Sequence, residues 1–339
     1  MRDFDRVLLG HGAGGRLTGE LVRDVFLPAF ANPQLERLTD AAVLPPLPPG
    51  RPALTTDAFV VEPMIFPGGD LGSLSVCGTV NDLAVSGAVP SSLTWALILE
   101  EGLSAETLRE ITSGAARAAR EAGVEIVAGD TKVVPRGKGS GAFAVTAGLG
   151  VVPTGRECGD EHIQIGDLIV VSGPVGDHGA TIMAARHGLA GDSLRSDCAP
   201  LAGLIAAVYE AGVDPHVMHD PTRGGLATTL NEVAAAARVR IEVDEVVVPI
   251  RPAVSAVCEL LGLEPLYLAC EGRVVFVLSE RDAGALHAVL SDHEYGQGAA
   301  TIGRVVEPGK RGVPVLMRTE VGGSRPLDLL SGMDLPRIC

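Results

Sequence analysis

The chain has 339 residues, 46% hydrophobic and 20% charged, enough apolar material for two domains with real cores. Only 3% are aromatic, so those cores are built from Val, Leu, Ile and Ala, and 43 scattered glycines exclude a fibrous or low-complexity chain. A net charge of −15 excludes a nucleic-acid partner but not a nucleotide, whose phosphates backbone N–H groups and a metal ion can hold.

The N-terminus (Met1 to Arg6) is charged and lacks the apolar core of a signal peptide. No apolar run reaches the roughly 18 residues of a membrane span. The expectation is a cytoplasmic protein with no membrane contact. A Gly-rich turn, Gly10 to Gly15, precedes a helix-like run from Leu17 to Phe30, and the prolines from Pro45 to Pro49 mark a connector. Ala53 to Val61 and Ser92 to Leu99 read as strands. A helix follows from about Ser104 to Ala122, with Ser104 as its N-cap and Gly123 closing it. Val124 to Ala128 and Gly141 to Val151 are two more strands. The buried strand Asp167 to Ser172 then opens a second alternating α/β pattern, running through the turn Gly173 to Gly179 and on to about Leu316. Strands mixed with helices in both halves give the class α/β (α+β). The divisions expected are 1–38, a Gly-rich loop and helix; 39–155, an N-terminal sheet domain; 156–329, a C-terminal α/β domain; and 330–339, a mobile tail.

Three acids share similar settings: Asp57 after Thr55-Thr56, Asp82 after Thr79-Val80-Asn81, and Asp130 before Thr131-Lys132. Asp57 and Asp130 follow strand-like runs, and Asp82 begins or runs along a helix. Such carboxylates suit Mg²⁺, which takes oxygen ligands and bridges carboxylates to phosphates. Taken singly, each is explained by a turn or helix cap. The segments Gly10 to Gly15 and Gly68 to Gly72 offer backbone N–H groups to phosphate, although neither is a P-loop, and a plain turn explains each as well. His11 either meets a phosphate or fills its turn. In the second half, His219-Asp220-Pro221-Thr222-Arg223-Gly224-Gly225 runs into a helix and suits an anion. Glu271 and Arg273 interrupt an apolar stretch, where a structural ion pair and catalysis explain them equally. The six cysteines show no C-x-x-C pair, so neither a disulfide framework nor a zinc site is expected. Five read as small buried hydrophobes; the sixth, Cys339, ends the chain.

The stretches HGAGG (11–15), FPGGDLG (66–72), CGTVNDLAVSG (77–87), AGDTKVVPRG (128–137), HDPTRGGL (219–226), EGR (271–273) and the terminal PRIC (336–339) span the chain in one order. With them the sequence resembles the HypE family of carbamoyl dehydratases, within the superfamily of aminoimidazole ribonucleotide synthetase and selenophosphate synthetase. The Asp-bearing stretches carry the superfamily, and the terminal Pro-Arg-Ile-Cys separates the HypE family from its relatives. The resemblance implies a two-domain aminoimidazole ribonucleotide synthetase-like fold whose N-terminal sheet pairs in a homodimer. It implies that Cys339 carries a carbamoyl group, which ATP and Mg²⁺ help dehydrate from S-carboxamide to S-thiocyanate. The cyano group is destined for the iron of a nickel–iron hydrogenase. It also implies two partners, the carbamoyltransferase HypF as donor and the HypC–HypD complex as acceptor.

On this resemblance Asp57, Asp82 and Asp130 hold Mg²⁺–ATP, with Thr131 beside them, and His11, Gly12, Gly14 and Gly15 cover the phosphates. Lys132 and Glu271 handle protons at the carboxamide. Lysine needs a depressed pKa for that work, which burial beside a cation such as Arg223 would supply. His219 and Arg223 bind phosphate or orient the tail. From residue 330 to Cys339 an extended chain covers about 30 Å, enough to reach a cleft or a partner. Two other readings compete: a small-molecule ATP-dependent synthetase or kinase of the same superfamily, and a non-catalytic maturation scaffold.

Overall fold

The computed structural model describes residues 4–189, 191, 193–308 and 313–329. Cys339 and the rest of the expected tail, 330–339, lie outside the described residues. The described residues form two compact units, one of those up to 83 with 88–154, the other of 84–87 with those from 155 to 329.

The first unit opens with a 3₁₀ turn at Leu9–Gly12 and a helix in three parts: Arg16–Leu21 (α1), the π-helical turn Val22–Phe26, and Leu27–Phe30 (α2). Pro28 explains the wide turn, because it has no N–H for an i−4 bond and its ring crowds the preceding turn. The strands follow as Gly50–Phe59 (β1), Ile65–Phe66 (β2), Gly69–Asp70 (β3), Val89–Glu100 (β4), Glu125–Val134 (β5) and Ala142–Pro153 (β6). Leu71–Val85 (α3) and Ala105–Ala122 (α4) are the long helices. The main sheet runs β1-β6-β4-β5, antiparallel except for the parallel pair β4·β5.

α4 is capped as its sequence implies. Ser104 Oγ accepts from the Thr107 N–H at 3.0 Å, and Gly123 takes the left-handed conformation, φ 70°. α3 is apolar nearly all round because it lies buried, and the indole of Trp95 on β4 reaches it, donating to Ser75 Oγ at 2.8 Å. Its first turn is closed reciprocally. The Ser73 N–H donates to Asp70 Oδ1 and the Asp70 N–H to Ser73 Oγ, both at 2.9 Å.

Gly72 of FPGGDLG serves packing. A Cβ on Gly72 would overlap the carbonyl oxygen of Ile111 in α4, so the two helix backbones touch there. Gly72→Ala should lower the urea unfolding free energy by about 1–3 kcal/mol, the cost of forcing two packed backbones apart.

The second unit contains Leu168–Val171 (β7), Asp177–Arg186 (α5), Ala202–Glu210 (α6), Val217–His219 (β8), Gly225–Ala237 (α7), Arg240–Asp244 (β9), Pro252–Leu261 (α8) and Val275–Leu278 (β10). Glu280–Asp292 (α9), Ala300–Val306 (β11), Val315–Arg318 (β12) and Ser324–Pro326 (β13) complete it. Seven strands order as β13-β12-β9-β11-β7-β10-β8. β10 is buried throughout and serves two cores by alternation: Val275 and Val277 face one, Phe276 and Leu278 the other. Both units thus mix helix and sheet, as the class α/β (α+β) expects.

All five described cysteines are free; Cys77, Cys258 and Cys270 are buried, while Cys158 and Cys198 are only partly so. No helix of the described residues is long and apolar enough to cross a membrane.

Candidate functional site

In the first unit, strand β5 carries Asp130, Thr131 and Lys132. Asp130 does not follow the strand, as expected, but lies inside it, because the parallel ladder to β4 continues past Ala96↔Asp130 to Glu100↔Val134. Asp57 likewise lies inside β1, opposite Thr146. Asp82 falls in the last turn of α3, where the helix dipole disfavours an acid, and Thr55 Oγ1 donates to its Oδ2 at 2.8 Å. Thr55 and Asp57 are two apart on β1 and project to one face, so Asp57 and Asp82 share the α3 side of the sheet.

Asp130 is elsewhere. The row Asp57–Thr146–Trp95–Gly129 crosses all four strands, about 14 Å at the usual spacing, and Asp130 is the next residue along β5, projecting to the opposite face. One copy of the chain therefore brings together two of the three expected metal acids. Among the described residues no cluster of three or more His, Cys, Asp or Glu is placed to hold a metal ion.

Burial beside a cation, which would suit Lys132 to work as a base, is not what the structure shows. The lysine side chain is 65% exposed, and its ammonium sits 2.9 Å from an Asp130 oxygen instead, since residues two apart on an edge strand share its open face. That hydrogen bond from Lys132 holds the Asp130 carboxyl below the usual range.

The Gly-rich loop docks on the same strand: a Cβ on Gly12 would lie 2.5 Å from the Val133 nitrogen. Gly14 needs its left-handed φ of 79°, and its N–H is already donated to Thr18 Oγ1 at 3.0 Å. Gly15 stands at the N-cap of α1. His11 fills the turn: it is buried, its ring centroid lies 4.7 Å from that of Phe4, and Nδ1 accepts the Leu8 N–H at 2.9 Å. Desolvation lowers its pKa, so the ring is neutral with its proton on Nε2.

Beside these residues lies a cavity of about 280 Å³ whose walls include Phe26, Phe30, Trp95, Gln34, Asp40 and Thr131. Phe26 and Phe30 meet the Trp95 ring edge-on, at centroid distances of 6.2 and 5.3 Å. Gln34 Oε1 is buried there with no hydrogen-bond partner among the described residues. Gln34 carries no sequence signal. Asp40, set among Thr39, Ala41 and Ala42, shows the same small-residue setting as the other acids.

In the second unit the site gathers at one end of the sheet. β7 and β8 end there, and the antiparallel β10 begins there. His219 is the last residue of β8, opposite Val275, and Arg223 lies exposed in the loop that enters α7. The HDPTRGG and EGR segments are stitched together, with the Cys270 N–H donating to the Pro221 carbonyl at 2.9 Å. Glu271 is only 3% exposed, and its N–H donates to Asp197 Oδ1 at 3.1 Å. Asp197, with Asp177, His178 and Ser196, forms a buried polar cluster around Arg273, to which neither periodicity nor spacing points.

Burial, and then the neighbouring Asp197, push the Asp177 carboxyl up to about 6 against the pull of Arg251 and Arg273. Burial also pushes His178 down to about 4, with Asp197 opposing. Their linkages run in opposite directions. The raised acid contributes stability at low pH that is lost as pH rises from 3.8 through 6. The depressed histidine contributes stability above 6.5 that is lost as pH falls through 4. Between pH 7 and 4.5 each is worth about 2 kcal/mol, so they nearly cancel. Asp177→Asn should unmask the histidine: relative to wild type, the variant loses ~2 kcal/mol of urea unfolding free energy on going from pH 7 to 4.5. An equal difference at both pH values would contradict this linkage.

Comparison with known proteins fits the two-unit architecture. Residues 38–152 match the AIR synthase related protein N-terminal domain and residues 164–315 its C-terminal domain. Carbamoyl dehydratase HypE of Cupriavidus necator is 48% identical over 335 residues, 98% of this chain and 95% of that protein. The crystal structure of HypE in complex with ATP is similar with a TM-score of 0.93 and 45% identity, covering 98% of this chain and 99% of that one. HypE from a HypE–HypF complex gives 0.79 and 42%, covering 91% and 99%. With both AIR synthase related domains present and full-length likeness on either side, the chain belongs to the HypE family of carbamoyl dehydratases, enzymes of hydrogenase maturation.

Proposed function

We propose that this carbamoyl dehydratase works on its own terminal thiol, converting an S-carboxamide on Cys339 to an S-thiocyanate at the expense of ATP. The observation that carries the reading is the 0.93 TM-score likeness, over nearly the whole chain, to HypE holding ATP. The chemistry balances. The carboxamide oxygen attacks the γ-phosphorus of ATP, releasing ADP and one N–H proton. The C–O bond then breaks, phosphate leaves, the second N–H proton is lost and C≡N remains. Oxygen departs as phosphate because an amide oxygen alone is a poor leaving group.

The two protons leave in successive steps, to one base or to two in relay, and Lys132 and Glu271 are the groups proposed for them. Burial of Glu271, fixed through its own backbone, supports a base that keeps its place during the reaction. Lys132 must part from Asp130 to act. His219 and Arg223, at the entry to α7, are proposed to hold phosphate or orient the tail.

The cavity against Trp95 suits the nucleobase: aromatic walls would stack on it, and the unpartnered Gln34 Oε1 would accept from an exocyclic amine. The Gly12 to Gly15 turn, held in shape by the buried His11, would then cover the phosphates near Thr131. Asp57 and Asp82 offer hard carboxylate oxygens on one face, a donor set that fits Mg²⁺, which when bound neutralises charge at the transferring phosphate. Asp130 lines that cavity but lies on the other face of the sheet from Asp57 and Asp82, so it joins their metal set only from a second copy or after rearrangement.

A homodimer is part of the proposal, and β1 supports it: ten residues long at a sheet edge, with Leu54 78% exposed, it is an edge that needs cover. We assign a HypF carbamoyltransferase as donor on the likeness to HypE in the HypE–HypF complex, and a HypC–HypD complex as cyanide acceptor.

Intact-protein mass spectrometry tests the reading. With carbamoyl phosphate, ATP and the carbamoyltransferase, a carbamoyl adduct should appear on Cys339 and then lose the mass of one water. An adduct on another residue, or one that never dehydrates, would sink it.

A further inference from the structure

Residues 196–198 lie in an irregular loop, yet three buried groups pin them. Ser196 Oγ meets His178 Nδ1 at 2.8 Å and also accepts the Cys198 N–H at 3.0 Å. Asp197 is the centre of the arrangement, its side chain only 1% exposed. Oδ1 accepts the Glu271 N–H at 3.1 Å, and Oδ2 lies 3.6 Å from Arg273 Nε. The Ala199 N–H returns to the Glu271 carbonyl at 3.4 Å. The two strands of chain press together so closely that a Cβ on Gly272 would overlap the Asp197 carbonyl oxygen.

Arg273 is occupied on every side named. Nε donates to the Pro174 carbonyl at 2.9 Å and Nη1 to that of Gly272 at 3.0 Å, while Nη2 lies 3.7 Å from Asp177. A buried carboxylate is costly, and here it stands beside a second one, Asp177, which repels it. A neutral amide would satisfy the Glu271 N–H without that repulsion, so hydrogen-bond satisfaction alone does not account for an acid here.

We propose that Asp197 is a positioning residue for Glu271: it ties the Glu271 backbone to the guanidinium of Arg273, and so fixes the base in register with the group it deprotonates. The inference rests on the reading of Glu271 as a base. Asp197 touches neither nucleotide nor carboxamide in this role; it acts only through Glu271.

The test is a mutant cycle on the full chain, read as the single-turnover rate of water loss from carbamoylated enzyme, alongside ATP affinity. Asp197→Ala should slow dehydration by about 100-fold, as expected for a misplacement near 1 Å, with ATP affinity unchanged. Asp197→Asn, which keeps an acceptor oxygen, should restore the rate to within about tenfold of wild type. Adding Asp197→Ala to Glu271→Gln should slow the enzyme no further, because the two act through one group. Hydrogen exchange supplies a readout independent of activity: in Asp197→Ala the Glu271 amide should exchange faster, while the Val274 amide, bonded to Ser172 Oγ at 2.9 Å, keeps its protection. A wild-type rate in Asp197→Ala, multiplicative losses in the double variant, or an unchanged Glu271 amide would each overturn the proposal. Failure of the base reading looks different: Glu271→Gln would itself dehydrate at the wild-type rate.

Discussion

Cys339→Ala should bind ATP as the wild type does and carry no carbamoyl group at all. The groups proposed for the nucleobase, the glycine cover and the metal belong to the body of the first unit: the cavity against Trp95, the Gly-rich turn against Val133, and Asp57 with Asp82. None depends on the last residue of the chain. Loss of the thiol removes the atom that forms the bond, so the effect on the adduct is complete rather than partial. Equilibrium dialysis with ATP and intact mass after the carbamoylation reaction separate the two properties. An adduct persisting in the variant would move the carrier to another residue, and a synthetase with a soluble acceptor would turn over normally without it.

Glu271→Gln should carbamoylate normally and then stall. General-base catalysis is worth about 10²–10⁴ in rate, and glutamine keeps the size and shape of the side chain without the basic oxygen. Its backbone bonds, to Asp197 and from Ala199, remain available, so folding should be little affected. Accumulation of carbamoylated enzyme without the following water loss is the expected mass spectrum. Rapid dehydration in this variant would return Glu271 to the alternative of a structural acid, and leave Lys132 as the first group to examine.

Much of the fold could be read from local signals, since those signals are local chemistry. Ser104 and Gly123 bound α4 because a hydroxyl and a left-handed residue satisfy helix ends wherever they stand. The unbroken apolar run Leu168–Val171 is a strand covered on both faces. Strand length was less visible. Asp57 and Asp130 look like terminators because acids are rare in strands, yet both sit where a neighbouring strand extends the ladder past them.

The site divided along the same line. Acids in small-residue settings stand out, but whether they converge depends on sheet order, and β1 and β5 turn out to be opposite edges. The exposure of Lys132 could not follow from its neighbours in sequence, because it depends on what covers the edge strand. The cluster of Asp177, His178, Ser196 and Asp197 was invisible for a related reason. Its members come together only when a loop folds back on the segment before β10.

That segment makes β10 a ruler. Glu271 stands four residues ahead of Val275, so its reach is measured from wherever the strand is clamped. A slip of one residue would carry the acid about 3.3 Å along the strand direction, farther than proton transfer tolerates. It would also exchange the strand's two faces, turning Phe276 and Leu278 toward the core shaped for Val275 and Val277. Phe and Leu are larger than the valines they would replace, so the sheet rejects the slip before chemistry is affected. Packing on both sides of one short strand thus sets the place of the proposed base, and Val277→Phe, which overpacks a fully buried position, should cost about 1–3 kcal/mol of urea unfolding free energy before it moves the carboxylate at the far end of the ruler.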